Sequence, residues 1–192
     1  ESRFAELRRK MIEARAKRIR PALDDKILCG WNGLLIAALA KAAAVLDEDR
    51  YAAAARRAAE FLLAHLRRNG RLFAAYGKGR ARHNGYLTDY AFLVEGLLAL
   101  YESNGDGTWA LDEAARLTDT ALEYFWDSAA GGFFFTASDH EPLIHRSKVS
   151  TDSAIPAGNS VMVHNLLRLA VLLDRPDLRE RAGAILRVFS AS

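Results

Sequence analysis

Residues 31–46 read WNGLLIAALAKAAAVL, a run in which Lys41 is the only charged side chain. Leu and Ala favour helix, and a helix that is apolar nearly all round is typical of one buried on most of its sides. The polar turn DEDR follows at 47–50, and a second helical run extends from Tyr51 to about Arg68. The stretch therefore predicts an α-hairpin whose first helix is buried.

The same pattern returns twice, at a spacing of roughly 60 residues. First helices are predicted at 34–46, 89–101 and 161–173, and second helices at 49–68, 108–127 and 177–190. The first helices hold four charged residues in 39 positions, whereas the second helices hold eighteen in 54. This contrast predicts an inner and an outer layer of helices, as an α/α toroid requires. A flat helical solenoid is the alternative.

The composition limits the classes of protein that remain. Only 14 residues are Val or Ile, which argues against an all-β fold, and a single Cys excludes an internal disulfide framework. No long uncharged apolar run and no signal peptide are visible, so we expect no membrane contact and a cytoplasmic location. The net charge of +3 points weakly to nucleic acid, but residues 1–20 alone carry +5. We therefore predict no nucleic-acid partner.

The chain is predicted to divide near Pro21. Residues 1–20 form a basic entry or linker helix, and residues 21–192 form a partial α/α toroid domain with three helical hairpins. The aromatic stretches RLFAAY at 71–76 and GGFFFTAS at 131–138 predict short β-like connections between the hairpins. The fold class is accordingly all-α, with about half of a six-hairpin ring.

Polar residues gather in four clusters, at 24–33, 82–90, 145–148 and 152–160. Three of these clusters directly precede an inner helix, so in a toroid they converge on one mouth of the central cavity. Helix starts offer free N–H groups, and the aromatic rings of Trp31 and Tyr90 suit the apolar faces of a sugar. Ordinary helix capping and packing are the alternative explanation.

The candidate acid–base residues are Asp89, Asp25, Asp152 and His83. Two carboxylates at a suitable separation can act on a glycosidic bond, and histidine titrates near neutral pH. A structural salt bridge to Arg146 or Lys148 is the alternative for at least one of the carboxylates. No pair of histidines has metal-ligand spacing, so neither a metal nor a cofactor is predicted.

Four motifs carry a family resemblance: DDKILCGWNGLLIAALA, GYLTDYAFLVEGLLALYE, FWDSAAGGFFFT and PAGNS. In this order and spacing they resemble the C-terminal part of the YyaL-type, thioredoxin-domain-containing proteins, which include the spermatogenesis-associated proteins. The resemblance implies an N-terminal thioredoxin-like domain followed by an (α/α)6 toroid. That toroid is similar to N-acylglucosamine 2-epimerases and six-hairpin glycosidases, and the family has no established activity.

Carried onto this chain, the family's recurrent residues give a set of substrate-binding candidates. They are Lys26, Trp31, Asn32, Tyr90, Arg146, Lys148, Asn159 and Ser160. The chain departs from the family pattern at three places: Cys29-Gly30 replaces a Thr/Ser-like pair, Thr88 replaces an acid, and Ala157 replaces a Ser.

These features predict a carbohydrate-binding or carbohydrate-processing domain. If the domain is an enzyme, the resemblance implies epimerase-like, isomerase-like or glycosidase-like chemistry. The alternative is a non-catalytic scaffold that docks a thioredoxin-like domain or another protein. The expected partners are a small sugar, a thioredoxin-like domain of a longer parent chain, and a second copy that completes the toroid.

Overall fold

The structure is a computed structural model that describes residues 2–104 and 107–190. Its helices are α1 (Ser2–Ala16), α2 (Cys29–Leu46), α3 (Asp49–His65), α4 (Leu87–Asn104), α5 (Thr108–Phe125), α6 (Gly158–Leu172) and α7 (Pro176–Ser190). Its strands are β1 (Ile27–Leu28), β2 (Arg67–Arg68), β3 (Arg71–Gly77) and β4 (Arg80–Asn84). Each of the six predicted hairpin helices is present, within a few residues of its predicted bounds.

The six helices form three hairpins in two layers. α2, α4 and α6 are the inner helices, and α4 packs between the other two. α3, α5 and α7 pack on the outside, where small residues such as Ala55 and Ala114 face the core and charged residues face solvent. Because α4 has neighbours on all sides, its segment from Tyr90 to Val94 is fully buried. The predicted half-toroid of α-hairpins is confirmed.

Two glycines let α2 and α4 touch backbone to backbone. A Cβ atom on Gly33 would lie 2.5 Å from the carbonyl carbon of Phe92, closer than real side chains approach. A Cβ atom on Gly96 would lie 2.8 Å from the carbonyl oxygen of Gly33. The contact between the two inner helices therefore depends on the absence of a side chain at both positions.

A small sheet connects the first two hairpins. β3 pairs antiparallel with β1, β2 and β4, and the paired residues include Leu28 with Ala75 and Ala75 with Arg82. At 131–138 the chain forms one isolated bridge, from Phe133 to Trp126, and is otherwise irregular. Both regions match the short β-like connections predicted from sequence.

Helix α2 is long and apolar enough to cross a membrane, with a mean hydropathy of 1.6 over its 18 residues. It contains Lys41, however, so it is not the long uncharged run whose absence underlies the prediction of no membrane span. Seven of its residues are buried, and its main neighbours are α4 and α3. Such packing is also typical of the core helix of a folded domain.

Candidate functional site

The starts of the three inner helices lie together. The backbone N–H of Gly30, at the start of α2, donates to Oδ1 of Asp89 on α4 over 2.9 Å. At the start of α6, a Cβ atom on Gly158 would lie 3.1 Å from the side chain of Leu87. The start of α4 is thus in contact with the starts of α2 and α6, and most of the polar side chains there bond to the protein itself. The predicted convergence on one cavity mouth stays a prediction.

Asp89 joins α2 to α4. Its second carboxylate oxygen, Oδ2, accepts the backbone N–H of Tyr86 over 2.9 Å, and the residue is only 7% exposed. Burial raises the pKa of Asp89 to about 6, against the two backbone hydrogen bonds, which lower it. Both oxygens are committed to backbone amides, so this geometry gives the carboxylate a structural role. The predicted acid–base role stays a prediction.

Tyr90 lies in the core, which differs from the predicted contact with a ligand. Its ring is fully buried, 5.1 Å from the ring of Phe125. Its hydroxyl accepts the backbone N–H of Leu72 over 2.9 Å and the Nε–H of Arg71 over 3.3 Å. A ring with no exposed face cannot stack on a sugar, so the tyrosine attaches β3 to α4.

Asn159 connects the segments around Phe133 and Val149 to the start of α6 through hydrogen bonds. Its Oδ1 accepts the N–H of Phe133 over 2.8 Å, while its Nδ2 donates to the carbonyls of Phe133 and Val149. The residue is 1% exposed, and all three bonds are to backbone. Ser160, the next residue, is exposed. The side-chain amide of Asn159 therefore forms its hydrogen bonds with the protein backbone rather than with a ligand.

Arg146 and Lys148 stack on the ring of Phe134, at 4.1 and 5.0 Å from its centre. The Nη2 of Arg146 donates to the carbonyl of Thr136 over 2.6 Å. The ammonium of Lys148 lies 2.7 Å from Oδ2 of Asp127 and lowers the pKa of that carboxyl. The expected salt bridge to a site carboxylate is wrong among the described residues, because Lys148 pairs with Asp127 instead.

Three further candidates lie near helix starts. Asn32 donates through Nδ2 to the carbonyl of Leu28, and Asp152 accepts the N–H of Ala157 over 2.8 Å. Both bonds match the alternative in which these residues stabilise local turns. Trp31 differs, because 64% of its surface is exposed.

A cleft beside the start of α2 brings Asp25, Lys26 and His83 together. Its volume is about 470 Å³, within the range of small-ligand pockets. It is lined by Ala22, Leu23, Asp24, Asp25, Lys26, Ala75, Gly77, Lys78, Arg82 and His83. The cleft thus combines Asp25 and Lys26 with His83, which lies more than fifty positions later in the sequence.

His83 lies within β4 but has an unusual backbone conformation. Its φ angle is 57°, in the left-handed region, and regular pairing with β3 is found on either side, at Arg82 and Asn84. A residue other than glycine held in this conformation costs on the order of 1–3 kcal/mol and is often found at functional sites. This backbone conformation is therefore a second observation, besides its place in the cleft, that suggests a functional role for His83.

The N-terminal wall of the cleft is held by an ion pair. The ammonium of Lys26 lies 3.1 Å from Oδ2 of Asp24, whose Oδ1 also accepts the backbone N–H of Lys26. The hydrogen bond from the Lys26 side chain lowers the pKa of Asp24. A Cβ atom on Gly77 would lie 3.3 Å from Cγ of Lys26, so this glycine leaves room for the lysine stem.

Lys78 and Arg82 also line the cleft, although neither is among the site residues predicted from sequence, where Arg82 appears only as a member of the polar cluster 82–90. A signal for them exists, because residues 61–88 contain six Lys or Arg and no Asp or Glu. The net charge of residues 21–192 as a whole is slightly negative, so it does not reveal the basic stretch at 61–88.

No family model matches the chain. Curated relatives do: human spermatogenesis-associated protein 20 is 39% identical over 94% of this chain, and an uncharacterised protein of Caenorhabditis elegans is 33% identical over 91%. The chain spans about a quarter of the length of these relatives, 24% and 25% respectively. The resemblance drawn from the motifs is therefore confirmed.

Solved structures with the same fold include enzymes that act on sugars. A GH76 α-mannanase from Bacteroides thetaiotaomicron superimposes with a TM-score of 0.70 and 17% identity, over 89% of this chain and 47% of the mannanase. A cellobiose 2-epimerase from Spirochaeta thermophila gives 0.67 and 20%, over 85% and 43%. At these identities the likeness concerns the fold, and the chain corresponds to about half of each neighbour.

Proposed function

We propose that this chain is a carbohydrate-binding part of an (α/α)6 toroid, because it is similar to spermatogenesis-associated protein 20 and shares its fold with sugar epimerases and glycosidases. The sugar site is the cleft beside the start of α2. The observation that carries this proposal is the meeting of Asp25, Lys26 and His83 in one cleft of about 470 Å³.

The chemistry of the cleft suits a molecule with many hydroxyl groups. Carboxylates accept hydrogen bonds from hydroxyls, while ammonium and imidazole N–H groups donate to them. Asp25 supplies the first kind of group and Lys78 the second, and His83 can supply either. Leu23 and Ala75 give the lining an apolar part against which C–H groups of a sugar ring can pack.

Calorimetric titration with D-mannose, D-glucose and cellobiose tests the proposal. We expect saturable binding of at least one sugar, and about a tenfold loss of affinity in Asp25→Asn and in His83→Ala, since each removes a hydrogen-bonding partner. Asp112→Asn on α5 and His145→Ala are matched controls, because both residues are exposed and lie outside the cleft. No saturable heat from a folded chain would reject the proposal.

If the domain catalyses a reaction on the bound sugar, we propose that Asp25 and His83 act as its general acid and base. Of the four titratable candidates, these two line the cleft, whereas Asp89 is buried and Asp152 bonds to Ala157. The test is conversion of cellobiose or mannose followed by proton NMR. Turnover that survives in both Asp25→Asn and His83→Ala would remove this assignment.

The alternative function is a scaffold for a thioredoxin-like domain. The observation in its favour is α1, where Phe4, Leu7 and Met11 lie three and four residues apart and are 80%, 49% and 73% exposed. A folded chain that binds no sugar, but binds a thioredoxin-like domain in trans, would favour the scaffold.

We also propose that a second copy of this chain completes the ring. Both open edges of the inner layer are apolar: Trp31, Leu35 and Val45 on α2 and Leu167 and Val171 on α6 are each at least 40% exposed. The chain matches 41–48% of each solved toroid, so its helices supply about half of such a ring and leave these two edges open. A two-fold axis would place α2 of each copy against α6 of the other.

Sedimentation of the isolated chain tests this pairing. We expect a dimer that dissociates in the double variant Leu35→Glu/Val171→Glu, because each charge would be buried in the contact. Leu186→Glu is the control, since Leu186 lies on outer helix α7 and is 56% exposed. A chain that is monomeric at all concentrations would contradict the proposal.

A further inference from the structure

The charge of the segment that forms the sheet is unusually one-sided. Between Glu60 and Asp89 the chain has no acidic residue but has six Lys or Arg. Two of the six are paired across the fold, Arg67 with Glu113 and Arg71 with Asp139. Arg67 thus pairs with a residue of α5, and Arg71 pairs with a residue of the segment that follows α5.

The other four basic residues have no acidic partner within residues 2–104 and 107–190. They are Arg68, Lys78, Arg80 and Arg82, and all four are exposed. Lys78 and Arg82 line the cleft, and Arg80 lies opposite Gly77 in the ladder between β3 and β4. Three of the four unpaired cations, Lys78, Arg80 and Arg82, therefore lie in β4 or in the turn between β3 and β4, and two of them line the cleft.

The opposite wall does not cancel this charge. The carboxylate of Asp24 is paired with Lys26 over 3.1 Å, so these two residues neutralise each other. Asp25 is then the one remaining acidic group of the lining, against the two cations Lys78 and Arg82. The cleft therefore keeps a net positive charge even when His83 is neutral.

We propose that the cleft binds a sugar that carries a negative charge, either a phosphate or a carboxylate, with Lys78 and Arg82 holding the anion. This inference rests on the proposed function, which supplies the sugar, and adds the charged substituent. A guanidinium matches the paired oxygens of both anions, and a lysine ammonium adds a point charge beside it. Asp25 and His83 remain available for the hydroxyl groups.

Titration with four probes, followed by calorimetry at low ionic strength, tests the inference: glucose, glucose 6-phosphate, glucuronate and inorganic phosphate. We expect glucose 6-phosphate or glucuronate to bind at least tenfold more tightly than glucose, and added salt to weaken that binding. The comparison of these two charged sugars identifies which anion the cleft prefers.

The double variant Lys78→Gln/Arg82→Gln should abolish the advantage of the charged sugar, so that glucose 6-phosphate and glucuronate bind no more tightly than glucose. Arg68→Gln is the matched control, since Arg68 is exposed in the same basic segment but lies outside the cleft. A thermal transition equal to that of the unaltered chain establishes that the double variant is folded.

The possible results separate the two proposals. Equal affinity for glucose and the charged sugars would overturn the inference and keep the sugar site. Inorganic phosphate that binds as tightly as glucose 6-phosphate would overturn it too, because the sugar would then contribute nothing. If no sugar binds, charged or neutral, the proposed function fails together with the inference.

Discussion

The carboxylate of Asp89 accepts the backbone N–H of Gly30 over 2.9 Å, across a sequence separation of 59 residues. This bond connects the start of α4 to the start of α2, and the same carboxylate accepts the N–H of Tyr86. One side chain therefore satisfies amides at two inner-helix starts. A charge at this position is nevertheless poorly solvated, since the residue is 7% exposed.

The pH dependence of stability should reveal this burial. The pKa of Asp89 is raised from 3.8 to about 6, so the folded chain binds the proton more tightly than the unfolded chain. Its contribution to the free energy of unfolding is then fully present below the unfolded pKa and declines as the pH rises towards 6. The shift corresponds to roughly 3 kcal/mol.

Urea unfolding of the chain and of Asp89→Asn between pH 4 and 7 measures this contribution. Because the asparagine does not titrate, the unaltered chain should lose roughly 2 kcal/mol of stability relative to Asp89→Asn as the pH rises from 4 to 7. Asp112→Asn, at an exposed position of α5, should show no such trend. A difference that is independent of pH would contradict the raised pKa.

The array of α-hairpins was predictable because short-range sequence patterns determine it. The contrast between LLIAALAKAAAVL and the charged helix after it predicts one buried and one exposed helix, and the repeat spacing extends this to three hairpins. Helix propensity and amphipathicity act over one or two turns, so residues 34–46 contain what is needed to identify them.

The roles of the polar residues were less predictable, because their partners are distant in sequence. Tyr90 bonds to Leu72 and Asn159 to Phe133, and nothing local to either residue indicates these contacts. The left-handed conformation of His83 is likewise a property of the folded hairpin. The sequence therefore located the polar clusters but did not separate the residues that line the cleft from those that fasten the chain.

The contact between α2 and α4 predicts a severe effect of Gly33→Ala. The added methyl group would meet the backbone of Phe92 and Leu93 at 2.5–2.7 Å, and a backbone cannot move aside as a flexible side chain can. We expect a loss of about 1–3 kcal/mol or more in the free energy of unfolding, from chemical denaturation.

Gly183→Ala on α7 is the control for this prediction. Its Cβ atom would meet only the end of the Arg187 side chain, at 3.3 Å, and alanine is the better helix former. We expect this variant to be as stable as the unaltered chain or more stable, by up to about 1 kcal/mol. Equal destabilisation by the two alanines would show that the close approach at Gly33 is unimportant.

Removing the hydroxyl of Tyr90 should weaken the attachment of β3 to α4. In Tyr90→Phe the buried N–H of Leu72 loses its acceptor, and an unsatisfied buried amide costs about 1–3 kcal/mol. Thermal unfolding followed by circular dichroism measures the loss. Tyr51→Phe removes a hydroxyl that accepts an exposed hydrogen bond from Arg50, and it should lower stability by less than about 0.5 kcal/mol.

Asn159→Ala should be among the most damaging single changes, because it removes three hydrogen bonds from a site that is 1% exposed. It leaves the N–H and C=O of Phe133 without their partners, at about 1–3 kcal/mol for each unsatisfied group. Hydrogen exchange should then accelerate at the Phe133 amide. The exposed Asn84 gives the matched control, Asn84→Ala, in which exchange at Phe133 should not change. Slow exchange at Phe133 in Asn159→Ala would mean that the segment is held by Lys148 and its bonds to Asp127 and Gly131 instead.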